Sequence, residues 1–85
     1  MNSIQWRPKA FKQLRKLPAE AAKSITAAVK AELSDLSQAC NVKKLVDHAC
    51  GYRLRVGNYR VFFEFDGAVR IVVVEEVRKR DEQSY

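Results

Sequence analysis

Three arginines spaced for phosphate chemistry sit in the stretch Gly51 to Phe65, GYRLRVGNYRVFFEF. With Gly57-Asn58 as a two-residue hairpin turn that admits positive φ at both central positions, Val56 faces Tyr59 and Arg55 faces Arg60. Side chains alternate along a strand, so Arg53 joins that face, while Tyr52, Leu54, Val56, Tyr59, Val61 and Phe63 take the other. Like charges opposed across a sheet are destabilising, and no carboxylate is expected among the three guanidiniums, so an anion is the natural complement. Arginine's planar fork of donors matches phosphate oxygens, which points to nucleic acid or another phosphorylated partner. A solvated basic face that keeps the chain soluble is the competing reading.

The elements that must hold this face can be read from periodicity. Ile4 and Trp6 alternate with polar neighbours, as in a short edge strand. Pro8 suits the first turn of a helix, and Phe11, Leu14 and Leu17 follow as an apolar stripe among Lys9, Lys12, Arg15 and Lys16. Leu17-Pro18 ends that helix. A second helix is expected from about Ala19 to about Leu36, burying Ala22, Ile25, Val29, Leu33 and Leu36, and the two helices form an antiparallel pair. Residues 37–51 carry no clear period and read as a connection. Strands are expected over about Tyr52–Gly57, Tyr59–Phe65 and Ala68–Val77, the last two joined at Asp66-Gly67.

This β-α-α-β-β-β order predicts an α+β domain, a small antiparallel sheet with the helical hairpin packed on one face. Continued from a two-residue Asp66-Gly67 turn, the register sets Arg60 opposite Val73 and Phe62 opposite Ile71. The arginine face then also carries Phe62, Val69, Ile71 and Val73.

The chain of 85 residues makes one domain, 1–85, and its 47% hydrophobic content suffices for one modest core. The net charge of +6 favours a polyanionic partner. Five cations and no acid lie between Met1 and Leu17, whereas seven cations meet six acids from Tyr52 onward. The second half is basic by placement. The N-terminal residues lack the apolar stretch of a signal peptide, and no run approaches the roughly 18 to 20 apolar residues of a membrane span, so a cytoplasmic protein is expected. Cys40 and Cys50 flank His48 without a second Cys/His pair to complete a zinc site, so no metal or other cofactor is expected. The final residues, VRKRDEQSY, place Arg78, Lys79 and Arg80 beyond the last strand and close on Tyr85.

YRLRVGNYRVFFEF, a turn, a β-branched strand and then KRDEQSY together resemble the RelE/ParE superfamily of toxins from type II toxin-antitoxin systems. The resemblance runs over nearly the whole chain, including the opening strand, the helical hairpin and the KKL before the sheet. In the RelE-like branch, it implies a growth-arresting translation inhibitor, an endoribonuclease that cuts mRNA in the ribosomal A site without a metal. The ParE-like branch instead implies a DNA gyrase poison, and a non-catalytic nucleic-acid-binding relative is a third reading. In either branch, a cognate antitoxin with an acidic, partly disordered segment is the expected partner, and operator DNA is reached only through it. Carried over position by position, the RelE-type resemblance assigns Arg60, Arg80 and Tyr85 to catalysis and Arg53 and Arg55 to substrate binding, which Arg78 and Lys79 of the C-terminal cation run are expected to join. Two departures stand out: Arg53 and Arg55 occupy positions where many members have lysine, and the chain stops at Tyr85 where many relatives continue. Arginine is a poor general base because its pKa exceeds about 12, which leaves proton transfer to Tyr85 or Lys79.

Overall fold

The computed structural model describes residues 2–36, 41–46 and 51–79. Strand β1 (Ser3–Trp6) leads into helix α1 (Pro8–Arg15) and helix α2 (Ala19–Leu33), followed by strands β2 (Val42–Lys44), β3 (Tyr52–Val56), β4 (Tyr59–Asp66) and β5 (Ile71–Lys79). The strands form one sheet in the order β1-β5-β4-β3-β2. The α+β architecture with a helical pair on one face is therefore the expected one, with two differences. Strand β1 runs parallel to β5, whereas the other pairings are antiparallel. The supposed connection also contributes β2, whose Lys43 pairs with Arg53 at the sheet edge.

Pro8 occupies the first turn of α1, where its missing N–H costs no hydrogen bond, and the helix tightens at its end as Leu17 N–H donates to the Leu14 carbonyl at 3.2 Å. Ala10 and Leu14, four residues apart, are the buried positions of α1. Phe11 departs from the expected stripe. It stands 50% exposed, with the Arg15 guanidinium 5.9 Å from its ring centroid. A helical stripe three residues in step drifts around the axis, and the Ala10 to Leu14 line meets the sheet instead.

Helix α2 buries Ile25, Val29 and Leu33, as their spacing predicts. They close on Leu54, Val61, Phe63, Val72, Val74 and Val77 from the sheet. At the far end, Asn2 caps α2: its Nδ2 donates to the Leu33 carbonyl at 3.0 Å and its backbone N–H to the Ser34 carbonyl at 2.8 Å. Two of the helix's last carbonyls are thereby satisfied.

Two turns set the strand registers. In Gly57-Asn58 only Gly57 has positive φ, at 56°, so the turn has its glycine at the first central position in place of the doubly positive kind expected. The register is the expected one, with Val56 opposite Tyr59 and Arg55 opposite Arg60. Asp66 and Ile71, by contrast, are partners across a loop spanning 67–70, which displaces the expected two-residue turn. Asp66 Oδ1 accepts from the Ala68 N–H at 2.9 Å, and Arg70 closes the loop with φ of 56°. An Asx-type bond of this kind opens the turn one residue later than the Asp-Gly pair suggests.

The β4–β5 register also shifts at Phe62/Phe63: Phe62 opposes Glu76, while Phe63 opposes Val74. Glu75 is the extra residue of a β-bulge. Strict alternation would send Glu76 and Arg78 to the core with Val72 and Val74. The bulge reverses that phase. Val77 goes into the core and Arg78 comes out beside Arg60.

Candidate anion-binding face

With that phase reversal, Arg55, Arg60 and Arg78 stand in one cross-strand row, partners in succession across β3, β4 and β5. Neighbouring Cα atoms in such pairs lie about 4.5 to 5.5 Å apart, so the row is roughly 10 Å long. The next row holds Lys43, Arg53, Phe62 and Glu76 on β2 to β5. Further along β4 the same face turns acidic at Glu64 and Asp66. It is cationic at the end nearest the Gly57 turn and anionic at the other.

Packing orders the middle of this surface. Phe62 is 7% exposed although it lies on the side away from the helices. Arg53, its partner on β3, is half-buried, and its Nε is buried without a hydrogen-bond partner among the described residues. A buried donor left unmade costs free energy, so Arg53 is better satisfied when an acceptor reaches it. On the opposite side of the sheet, Tyr52 stacks on Phe63 with ring centroids 5.4 Å apart, holding β3 against β4 beneath the row.

A carboxylate borders the arginine row on β5. Glu76 Oε1 accepts from Arg78 Nε at 2.6 Å, and its Oε2 lies 3.7 Å from Lys9 Nζ. Burial alone would push the Glu76 carboxyl up. The hydrogen bond and charge of Arg78, together with Lys9, outweigh that and hold it below the ordinary carboxylate value. Beside it, Glu75 Oε1 pairs with Arg7 Nε at 3.3 Å. The first turns of α1 are thus fastened to the bulge. Gln13 completes the attachment, its Oε1 accepting from the Val77 N–H at 2.7 Å. That bond satisfies β5 beyond Trp6, the last β1 residue paired with it.

Of the residues assigned from sequence, Arg53, Arg55, Arg60 and Arg78 come together on this face. Lys79 does not join them. It is the partner of Tyr59, whose parity with Val61 places both on the helix side. Val73 and Ile71 keep to the arginine face but pair with Glu64 and Asp66 instead of Arg60 and Phe62, and Val69 sits in the loop, 60% exposed. Arg80 and Tyr85, as well as Cys40, His48 and Cys50, lie outside the described residues. Sequence reasoning missed Lys43, Glu76 and Lys9 as members of the site. The Lys43-Lys44 pair was a visible signal for the first, but only the bulge reveals the other two.

The same fold occurs in solved toxins. The RelBE2 toxin-antitoxin complex of Mycobacterium tuberculosis matches with a TM-score of 0.82 at 24% identity, over 93% of this chain and 98% of that one. The archaeal RelE-RelB complex of Pyrococcus horikoshii matches with a TM-score of 0.78 at 18% identity, over 95% and 97% of the two chains. The isolated RelE toxin of E. coli gives 0.77 at 19% identity, over 99% and 89%. No curated protein matches by sequence. A family model described as the ParE toxin of the type II toxin-antitoxin system, parDE, matches residues 4–84, and the chain belongs to that family, within the RelE/ParE superfamily of type II toxins.

Proposed function

We propose that this toxin is a ribosome-dependent mRNA endoribonuclease of the RelE kind. The observation that carries the reading is the continuous row Arg55-Arg60-Arg78, with the unsatisfied Nε of Arg53 one step away. Such a row suits the phosphodiester of a bound strand, because the sheet sets its arginines side by side along one line before the substrate arrives.

In the proposed reaction an RNA 2′-oxygen attacks the adjacent phosphorus and the 5′-oxygen departs, leaving a 2′,3′-cyclic phosphate and a 5′-hydroxyl end. Arg60 and Arg80 stabilise charge on the non-bridging oxygens, while Arg53, Arg55 and Arg78 grip flanking phosphates. Tyr85 takes the 2′ proton or stacks on a base, and water protonates the departing 5′-oxygen. The attacking oxygen belongs to the RNA and the charge stabilisation to the arginines, so the scheme calls for no metal. Alignment by the ribosome supplies the remaining acceleration, because holding reactants in line replaces a costly encounter. The cytoplasm is the compartment where this chemistry has its substrate.

The proposed partner is an antitoxin with an acidic amphipathic segment, as the RelB-bound structures of similar fold suggest by analogy. Lys12, Arg15 and Lys16 around the half-exposed Phe11 offer it both charge and apolar surface on α1. Operator DNA would be reached only through that antitoxin.

The family model favours a second reading, a gyrase poison that binds its protein target and cuts nothing. A cell-free translation reaction separates the two. Mapping 5′ ends of a reporter mRNA should reveal cuts at ribosome-occupied codons, bearing 5′-hydroxyls and lost in Tyr85→Ala and Arg60→Ala. Intact mRNA with undiminished translation, alongside inhibited supercoiling by purified gyrase, would establish the second reading instead.

A further inference from the structure

The bulge delivers a carboxylate to the arginine row, and nothing in the proposed cleavage uses it. Glu76 sits beside Phe62 at the edge of that row, one oxygen on Arg78 Nε at 2.6 Å and the other 3.7 Å from Lys9 Nζ. The two oxygens of one anion thus engage two cations from separate elements, an arrangement a phosphate could reproduce. We propose that Glu76 is a resident anion of the site, holding Arg78 in the unbound protein and yielding it when a phosphate arrives, so that it limits the toxin's affinity for polyanions. This rests on the phosphate-binding reading of the row given above.

Three features of the geometry support it. The Glu76 side chain is only 17% exposed, so its charge faces the site through little water, whereas Arg78 is 57% exposed and free to turn toward a ligand. Glu75 is already taken by Arg7, which leaves Glu76 as the bulge carboxylate directed at the row. The contact is also a short one within a single strand, two residues apart, and can break without disturbing the core. Glu76 is accordingly a positioning residue. It acts on substrate through Arg78.

Two probes test this, inorganic pyrophosphate and a fluorescein-labelled 2′-O-methyl RNA 12-mer that cannot be cleaved. In nitrogen-proton spectra of the arginine side chains, the Arg78 Nε–Hε signal, assigned with Arg78→Gln, should be displaced by the Glu76 contact. It should shift to its solvent position in Glu76→Gln and move on adding pyrophosphate to the wild type. By anisotropy, Glu76→Gln should bind the RNA about threefold to tenfold more tightly at 100 mM KCl, the effect expected of removing one nearby like charge. Its plot of log affinity against log salt should steepen by about 0.7, one additional phosphate contact. In an Arg78→Gln background the same substitution should gain much less. Glu76→Asp keeps the charge but withdraws it by one methylene, so it should free the Arg78 signal while gaining less affinity, and it serves if Glu76→Gln folds poorly.

Unchanged or weakened binding in Glu76→Gln with the salt slope unmoved, or an equal gain with and without Arg78, would overturn the assignment. These results are separable from the nuclease reading. Mobile Arg78 signals and tighter polyanion binding without mRNA cleavage would sink the nuclease and leave Glu76's role standing. Ribosome-dependent cleavage with no response to Glu76→Gln would do the reverse.

Discussion

Arg55→Gln should make the free toxin more stable and its anion complex weaker, two effects of opposite sign from one side chain. Arg55 is exposed, stands directly opposite Arg60, and makes no ion pair among the described residues. Opposed like charges on a sheet destabilise by roughly 0.2 to 1 kcal/mol, and exposure favours the lower half of that range. Glutamine keeps part of the aliphatic stem, so little packing is lost. At about 4 to 8 °C per kcal/mol for a domain of this size, the melting temperature should rise by roughly 1 to 4 °C in 20 mM KCl. The gain should fade near 1 M KCl, where the screening length falls to about 3 Å. Against the uncleavable RNA, the loss of one charge-assisted contact should weaken binding about tenfold, the low end for such bonds because the site is open to water. Thermal unfolding by circular dichroism at both salt concentrations, paired with anisotropy, gives both numbers. A lower melting temperature, or a gain indifferent to salt, would refute the idea that Arg55 is repelled by the arginine opposite it. Unchanged RNA binding would remove Arg55 from the site.

Arg60→Ala and Arg80→Ala should each abolish growth arrest at matched protein levels while melting cooperatively, and retained toxicity in both would contradict their assigned roles. Val29→Asp should leave the chain unfolded at neutral pH, because Val29 is 1% exposed among apolar neighbours; loss of the burial and of charge solvation together reach several kcal/mol, comparable to the whole stability of a small domain. A cooperatively folding variant by circular dichroism would place α2 the other way round. Gln13→Ala should strand the Val77 N–H and lower stability by about 1 to 3 kcal/mol, while Gln13→Glu, which retains an acceptor, should lose less; amide exchange at Val77 reports the difference. For Glu76 the folded pKa is depressed, so its contribution is present above the ordinary carboxylate pKa and lost as pH falls through the lower folded value. Melting curves of wild type and Glu76→Gln should therefore differ above that window and converge in acid, by a small amount given how exposed Arg78 is.

The Gly57-Asn58 hairpin was legible because a two-residue turn leaves no freedom of register, and the β3–β4 pairing follows from it residue by residue. The buried face of α2 was legible because Ile25, Val29 and Leu33 repeat at the helical period. The β4–β5 register was not, since Asp66-Gly67 carries the same signal whether the loop closes after two residues or after four. Glu75 as the bulge residue left no mark in the pattern either. It is one polar residue beside another, and only the need to bury Val77 decides which is skipped. Strand β2 is three residues long, too short for alternation to register. Two of the three catalytic assignments, Arg80 and Tyr85, fall outside the described residues, so the described half of the site speaks to binding.

The bulge at Glu75 makes β5 a counting device. Residues before it and residues after it answer to opposite rules of odd and even, so a face of this strand cannot be followed across Glu75 by alternation alone. Removing that single residue would leave a regular ladder, with Phe63 still opposite Val74 and Phe62 opposite Glu76, so Val77 would stay in the core and Arg78 beside Arg60. Pairing the same residues without the bulge would instead turn Arg78 toward the helices and push Val77 to the outside. Among variants of this toxin, a one-residue slip of β5 beyond the bulge would thus silence the row more completely than the loss of any one of its arginines. Function here depends on arithmetic as well as on side-chain chemistry.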